Sequence, residues 1–210
     1  DYTDQQYIFM STANGTVKKC KTTEFANAKT RGVIGIKLHD GDHLVSAMLT
    51  SGNDDAMLIT RKGQALRVSE ESVRPMGRAS SGVTGIRLAS GDEVAAAISV
   101  EQNKDALVIT EKGYGKRVGF DEFGKHGRGT GGQKIFGNIE GKGEIIGAIA
   151  VSETDEVICM SGQGKTLRVS AAMISKQGRA SSGTRIINID EPDYVVGFDK
   201  VANEDEKDKE

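Results

Sequence analysis

The chain contains one sequence unit written four times. In each copy an apolar run leads into a glycine-containing turn and then into a basic strand, at residues 8–20, 56–68, 106–118 and 157–169. The turn glycines are Gly15, Gly63, Gly113 and Gly164, and a basic residue follows each by four positions: Lys19, Arg67, Arg117 and Arg168. A second glycine recurs with the same spacing, at Gly32, Gly82, Gly132 and Gly183. A period of about 50 residues that holds at two landmarks is the signature of a repeat architecture.

Each repeat predicts four short strands. The first repeat predicts a hairpin of residues 6–12 and 16–21 around Asn14-Gly15, and a second hairpin of residues 32–38 and 44–49. The chain has 27 Gly and only 2 Pro, which suits tight turns between short strands. Helical periodicity is confined to one turn near residues 70–73. The pattern therefore predicts an all-β, propeller-like array of four-stranded antiparallel blades.

The repeats also predict the domain organisation. We expect residues 1–200 to form a single domain of four repeats, at approximately 1–50, 51–100, 101–150 and 151–200. Residues 201–210 contain five acids and two lysines and are expected to form a disordered acidic tail. The start at Asp1 without a Met suggests a fragment or a processed chain. Cys20 and Cys159 fall in different repeats and are interpreted as free thiols in a reducing cytoplasm.

The net charge of −2 conceals a charge pattern that follows the repeat. The part of each repeat from the first turn through the glycine-rich loop is mostly basic, and the rest is mostly acidic. Because equivalent positions of a repeat lie on the same side of an array, this phasing predicts one basic edge and one acidic surface. A basic edge around a rigid disc suits duplex DNA, since Lys and Arg neutralise phosphates and glycine-rich loops bring backbone N–H groups close to them.

Other features narrow the predicted mode of DNA binding. Aromatic residues make up only 5% of the chain and are not interleaved with the basic ones, so stacking on single strands is not favoured. No recognition helix is predicted, so binding should be largely independent of sequence and should prefer DNA that bends easily. The predicted phosphate contacts are Lys18, Lys19, Lys29, Arg31, Arg67, Arg74, Arg78, Lys116, Arg117, Lys125, Arg128, Arg168, Lys176 and Arg179.

The sequence predicts no metal site, no cofactor site and no catalytic site in this chain. The turn at residues 39–43 contains two His and two Asp, but the other repeats have no counterpart. Gly164-Lys165-Thr166 resembles the end of a phosphate-binding loop, yet Cys159 occupies the position where that loop requires glycine. No acid/base constellation recurs among the repeats, so we expect the chain alone not to be an enzyme.

Four segments carry a resemblance to a known family: residues 9–19, 72–78, 82–88 and 113–117. They closely resemble the C-terminal domains of DNA gyrase A subunits, and the C-terminal domain of topoisomerase IV is a weaker match. The resemblance implies a β-pinwheel, a propeller variant in which neighbouring blades exchange strands, usually with six blades. It also implies a rim that binds and bends duplex DNA, so that an ATP-driven type IIA topoisomerase introduces negative supercoils.

The resemblance further implies partners and cofactors outside this chain. These are the gyrase B subunit together with the rest of the A subunit, in an A2B2 assembly, with ATP and Mg²⁺ at other domains, in the bacterial cytoplasm. The chain opens like the third blade of the family, so we expect the first two blades to lie outside it. The wrapping signature Gln-Arg-Arg-Gly-Gly-x-Gly of the first blade is absent, and residues 127–133 only echo it.

Two further hypotheses belong to other functional classes. A propeller-like protein-interaction module would bind a protein through its loops, and the periodic placement of its basic residues would be incidental. A small-ligand propeller would need polar residues that converge on a central channel. Steep salt dependence of DNA binding distinguishes DNA wrapping from the protein-interaction module.

Overall fold

The computed structural model describes residues 2–202, which form four small β-sheets. The strands are β1 (Tyr7–Thr12), β2 (Thr16–Lys21), β3 (Leu44–Thr50), β4 (Asp55–Thr60), β5 (Gln64–Ser69), β6 (Val83–Thr84), β7 (Val94–Ser99), β8 (Asp105–Thr110), β9 (Tyr114–Gly119), β10 (Gln133–Lys134), β11 (Ile145–Val151), β12 (Glu156–Ser161), β13 (Thr166–Ser170), β14 (Thr184–Arg185) and β15 (Val195–Lys200). Residues 203–210 of the expected acidic tail lie outside the described residues.

Short helical elements complete the repeats. A 3₁₀ turn follows the second strand of every repeat, at Thr22–Phe25, Glu70–Ser72, Phe120–Glu122 and Ala171–Met173. The sequence indicated this turn only near residues 70–73. A one-turn helix, α1 (Ile139–Lys142), takes the place of a simple loop before β11.

Neighbouring repeats exchange strands. The strand orders are β3-β1-β2-β6, β7-β4-β5-β10, β11-β8-β9-β14 and β15-β12-β13, and all pairings are antiparallel. The outer strand of each of the first three sheets comes from the following repeat. This exchange confirms the predicted all-β pinwheel, and it shows that the prediction of a second hairpin within each repeat was wrong. Residues 32–38 form no strand, and their counterpart β6 pairs with β2 of the preceding repeat instead.

The hydrophobic core lies between consecutive sheets. One cluster joins Phe9 and Val17 of the first repeat to Leu58 and Leu66 of the second. Two further clusters join the second repeat to the third and the third to the fourth. A single blade therefore cannot bury its apolar faces, and the array is stabilised mainly at the interfaces between neighbours.

The innermost strands bind each blade to the one before it. The first residues of β7, β11 and β15 donate backbone hydrogen bonds to the preceding repeat: Val94 to Ala13 O, Ile145 to Arg61 O, and Val195 to Glu111 O. These three residues are buried, whereas their counterpart Leu44 is 43% exposed. At the other end Met160 is 46% exposed, although its counterparts Ile59 and Ile109 are fully buried. The two terminal faces thus present the apolar surface that a neighbouring blade covers in the middle of the array.

Candidate nucleic-acid interface

Three segments run along the outer edge of the array, and we call them the rim segments: residues 73–84, 123–134 and 174–185. Each begins after a 3₁₀ turn and ends in the outer strand that completes the preceding sheet. Each also lies beside the second strand of that sheet through one parallel bridge: Lys19 with Pro75, Arg67 with Lys125, and Arg117 with Lys176. The corresponding segment of the first repeat, residues 26–34, has no preceding sheet in this chain.

Glycine allows each rim segment to approach the strand beneath it. Gly132 has φ +75°, and a Cβ atom on it would lie 2.5 Å from the carbonyl oxygen of Ala65. Gly82 and Gly183 occupy the same position in their repeats, and a Cβ atom on either would also clash with a backbone carbonyl of the strand beneath it. The second glycine landmark of the sequence therefore marks close contact between backbones.

Each rim segment accepts a backbone hydrogen bond from a residue of the preceding repeat that lies just beyond that repeat's own outer segment. The amide of Arg87 donates to the carbonyl of Thr130 over 2.9 Å. The same bond recurs one repeat earlier and one repeat later, from Lys37 to Ser80 and from Gly137 to Ser181. The outer edge is thus a continuous belt of backbone, joined by one such bond at each boundary between repeats.

Six of the predicted phosphate contacts have no carboxylate partner, four of them on the rim segments and two in the corresponding segment of the first repeat. Among residues 2–202, the structure places no carboxylate oxygen within 4.0 Å of their cationic groups. The six are Lys29, Arg31, Arg74, Arg78, Arg128 and Arg179. The first three and Arg128 are exposed, and the other two are half-buried. Arg128 also donates to the carbonyls of Ser72 and Thr84 over 3.2 Å, which fixes its guanidinium across two rim segments.

Four other candidates are exposed or half-buried cations that already have a carboxylate. Lys125 lies 2.8 Å from Asp55, which also binds Arg67 at 2.9 Å. Lys176 lies 2.8 Å from Asp105, and the hydrogen bond to Asp105 raises the pKa of the Lys176 ammonium. In the fourth repeat Arg168 pairs with Glu156. A phosphate would have to compete with these carboxylates.

Lys18 and Lys116 are not on the surface, which corrects their prediction as phosphate contacts. Both are completely buried. The Lys18 Nζ donates to the carbonyls of Gly35 (2.8 Å), Arg78 and Ser80 (2.9 Å). The Lys116 Nζ donates to the carbonyls of three residues in the last rim segment, at 2.7–3.0 Å: Gly178, Arg179 and Ser181. With all their donors occupied inside the protein, these ammonium groups cannot reach a phosphate.

Lys19 and Arg117 are buried as well, so their prediction as phosphate contacts is corrected for the same reason. Lys19 lies 3.6 Å from the buried carboxylate of Glu70 and over the ring of Tyr7. Arg117 binds Asp105 at 3.1 Å and the carbonyl of Ile174 at 2.9 Å. Sequence periodicity could not separate these residues from surface cations, because β2 and β9 are covered on both faces.

Four exposed cations were missing from the predicted set although they lie along the same outer edge. They are Lys37, Arg87, Lys134 and Arg185. The last of them donates to the hydroxyl of Tyr114 over 2.6 Å, a bond that lowers the pKa of that tyrosine. Their signal in the sequence is that each follows the second glycine landmark of its repeat within two to five residues.

The described residues carry neither a cluster of metal-ligand side chains nor a membrane-spanning helix. Residues 2–202 contain no group of three or more His, Cys, Asp and Glu side chains that could hold a metal ion. None of their helices is long and apolar enough to cross a membrane. Cys20 and Cys159 are buried free thiols, and burial raises the pKa of Cys159 to about 11.

A family model described as "DNA gyrase C-terminal domain, beta-propeller" matches the chain four times. The matched segments are residues 6–51, 54–101, 104–152 and 155–202, one for each repeat. The chain belongs to the DNA gyrase A C-terminal domain family. The four matches follow the repeats that form the four sheets, so the family assignment and the observed fold agree.

Individual relatives support the same assignment. The chain is 64% identical to the DNA gyrase A protein of Treponema pallidum (strain Nichols) over 94% of its own length and 24% of the relative's. A solved structure of a DNA gyrase A C-terminal domain superposes with a TM-score of 0.87 at 32% identity, over 96% of this chain and 68% of that one. The C-terminal domain of DNA topoisomerase IV superposes with a TM-score of 0.89 at 25% identity, over 96% of this chain and 63% of that one. The chain thus spans about a quarter of the length of its gyrase relative.

Proposed function

We propose that this chain binds duplex DNA along the belt of rim segments and bends it. The observation that carries the proposal is the set of six cations without carboxylate partners, all on the outer edge. The remaining cations of the predicted set are buried or neutralised. A cation without a carboxylate partner gains the most from meeting a phosphate, because it loses no protein ion pair when the DNA binds.

The geometry of the belt supports bending rather than contact at one point. The rim segments follow one another around the array, with one backbone hydrogen bond at each boundary between repeats, so their cations form a curved row on a rigid support. A duplex that followed this row would gain a contact from each blade, and those contacts would offset the energy of bending. No helix of eight or more residues is present in residues 2–202 to enter a major groove, which supports sequence-independent binding.

The role in the whole enzyme is part of the same proposal. We infer that the chain is the non-catalytic DNA-wrapping part of a gyrase A polypeptide, in the cytoplasm, within an A2B2 assembly that includes the gyrase B polypeptide. ATP, Mg²⁺ and the cleavage chemistry would belong to the other parts. This chain would supply the wrapped DNA from which negative supercoils are made.

The test compares two triple variants that remove the same charge. The rim variant carries Arg74→Gln, Arg128→Gln and Arg179→Gln. The control variant carries Lys62→Gln, Lys112→Gln and Lys165→Gln, which are lysines at the hairpin turns, outside the rim segments. Each variant lowers the net charge by three, so a loss of affinity that depended on net charge alone would be equal in both.

We expect the rim variant to bind DNA more weakly and to lose about 3 from the slope of log K against log salt, since each phosphate contact contributes about 0.9. The control variant should keep its slope. Equal losses in the two variants would show that binding depends on net charge rather than on the rim. An unchanged affinity in both would show that DNA binds through other residues, whereas no measurable binding by the unmodified chain would favour the protein-interaction module.

A further inference from the structure

One position of the repeat alternates between two chemically different side chains. The third residue after the turn glycine is Lys18 in the first repeat, Leu66 in the second, Lys116 in the third and Leu167 in the fourth. In the first three repeats this residue lies beneath the rim segment of the next repeat, and all three side chains are fully buried. The same place in the fold is therefore occupied either by a buried charge or by an apolar group.

The glycine-rich loop above this position changes together with it. We call the segments 77–82, 127–132 and 178–183 the rim loops. The two loops above lysine share one sequence, Gly-Arg-Ala-Ser-Ser-Gly, whereas the loop above Leu66 reads Gly-Arg-Gly-Thr-Gly-Gly. The difference within one chain indicates that the loop and the residue beneath it form a matched pair.

The hydrogen bonds explain the match. The Lys18 Nζ donates to the carbonyl of Gly35 and to two carbonyls of rim loop 77–82. The counterpart of Gly35 in the next repeat is Gly85, whose carbonyl accepts from the backbone amide of Gly129 over 2.6 Å. Gly129 has φ +79°, a conformation that an alanine rarely adopts. Where lysine is missing, a glycine amide of the loop supplies the donor to this carbonyl.

Burying an ammonium group is costly unless its donors are used. Burial lowers the pKa of Lys116 to about 8, so the group remains mostly charged at neutral pH. Leu66 shows that the same site accepts an apolar side chain. The charge therefore has a use, and its contacts identify it: both lysines bind the backbone carbonyl of the rim arginine in the loop above, Arg78 or Arg179.

We propose that Lys18 and Lys116 are positioning residues for DNA binding, which hold rim loops 77–82 and 178–183 in the conformation that presents Arg78 and Arg179 to a phosphate backbone. They do so without touching DNA. The inference rests on the proposed function, because the loops matter only if the rim binds DNA. The loop 127–132 is held by its own glycines and does not depend on a lysine.

The experiment uses Lys116→Leu, a change to the side chain that the second repeat has at this position. Amide hydrogen exchange of residues 178–183 should become about fivefold faster, since the loss of a donor to these carbonyls costs about 1 kcal/mol. Exchange in loop 127–132 is the internal control and should not change. Adding Ala180→Gly, Ser181→Thr and Ser182→Gly recreates the pair found in the second repeat, and this variant should regain slow exchange.

DNA affinity separates positioning from a purely structural role. Lys116→Leu and Arg179→Ala should each lower the affinity for DNA. The double variant should bind DNA as well as the single variant with the lower affinity, because both changes act through one contact. Unchanged exchange in residues 178–183, or losses of affinity that add, would overturn the inference. If Lys116→Leu does not fold, Lys18→Leu tests the same statement on loop 77–82. If the unmodified chain binds no DNA, the proposed function fails, whereas the exchange data still decide whether lysine holds the loop.

Discussion

Replacing Asp105 by Ala would leave the guanidinium of Arg117 buried without its main carboxylate. The Arg117 side chain is 5% exposed and that of Asp105 is 11% exposed, and they meet at 3.1 Å. Removing one partner of such a buried pair typically costs about 3–5 kcal/mol, because the remaining charge stays desolvated. The ammonium of Lys176, 2.8 Å from Asp105, would lose its partner as well.

The repeat supplies two matched comparisons at the same position. Asp55 binds Arg67, whose side chain is 24% exposed, so Asp55→Ala should cost less, about 1–3 kcal/mol for the loss of charge-assisted hydrogen bonds. Glu156 binds Arg168, and both side chains are largely open to water, so Glu156→Ala should cost about 0–1 kcal/mol. Each variant removes one carboxylate at the same position of the repeat, and the exposure of its arginine partner rises from 5% for Arg117 to 24% for Arg67 and 62% for Arg168.

Equilibrium unfolding in urea, followed by circular dichroism, measures the three free energies of unfolding, with the slope checked for constancy. The expected order of destabilisation is Asp105→Ala, then Asp55→Ala, then Glu156→Ala. Equal losses in all three, or the largest loss for Glu156→Ala, would refute the reasoning that burial determines the contribution of these pairs.

Two further predictions concern single residues. Because the pKa of Lys116 is about 8 in the folded chain and 10.5 ordinarily, the unfolded chain holds a proton between these pH values that the folded chain has released. The contribution of this group to the free energy of unfolding should therefore rise by about 3 kcal/mol from pH 8 to pH 10.5. Urea titrations at both pH values should show a smaller rise in the Lys116→Leu variant than in the unmodified chain. An equal rise in the two proteins would contradict the effect of burial on this pKa. Gly132→Ala should destabilise the fold by at least about 1 kcal/mol, because of its positive φ and the carbonyl of Ala65. Gly127→Ala, where a Cβ atom meets nothing within 4 Å, should change the melting temperature little, and similar losses in the two variants would argue against the close approach.

The repeat made the architecture predictable from sequence, but the sequence pattern did not predict that strands are exchanged between repeats. Residues 82–88 have the period and turn signals of a strand, but periodicity carries no information about which strand is the partner. A local hairpin with residues 94–99 is the default for neighbouring strands. The pairing of β6 with β2 is decided by packing between blades, and only the family resemblance indicated it.

The sequence predicted the surface position of some candidate residues but not of others. Arg74 and Arg128 lie where the charge phase placed them, on the exposed rim. Lys18 and Lys116 lie in the basic part of the repeat as well, but they are buried. Their strands are covered on both faces, so side chains on neither face reach solvent. Asp105 was interpreted as part of an acidic surface, although it neutralises the buried Arg117 and, on the rim, Lys176. A formal charge in a sequence indicates neither burial nor a partner across a blade interface.

Ring closure of a duplex of about 150 base pairs, near one persistence length, measures bending by the rim most directly. The account predicts that adding the chain at low salt speeds ring closure, and that the effect disappears as salt rises and in the variant with Arg74, Arg128 and Arg179 replaced by Gln. Binding of the same duplex without any change in the rate of ring closure would contradict the claim that the rim bends DNA.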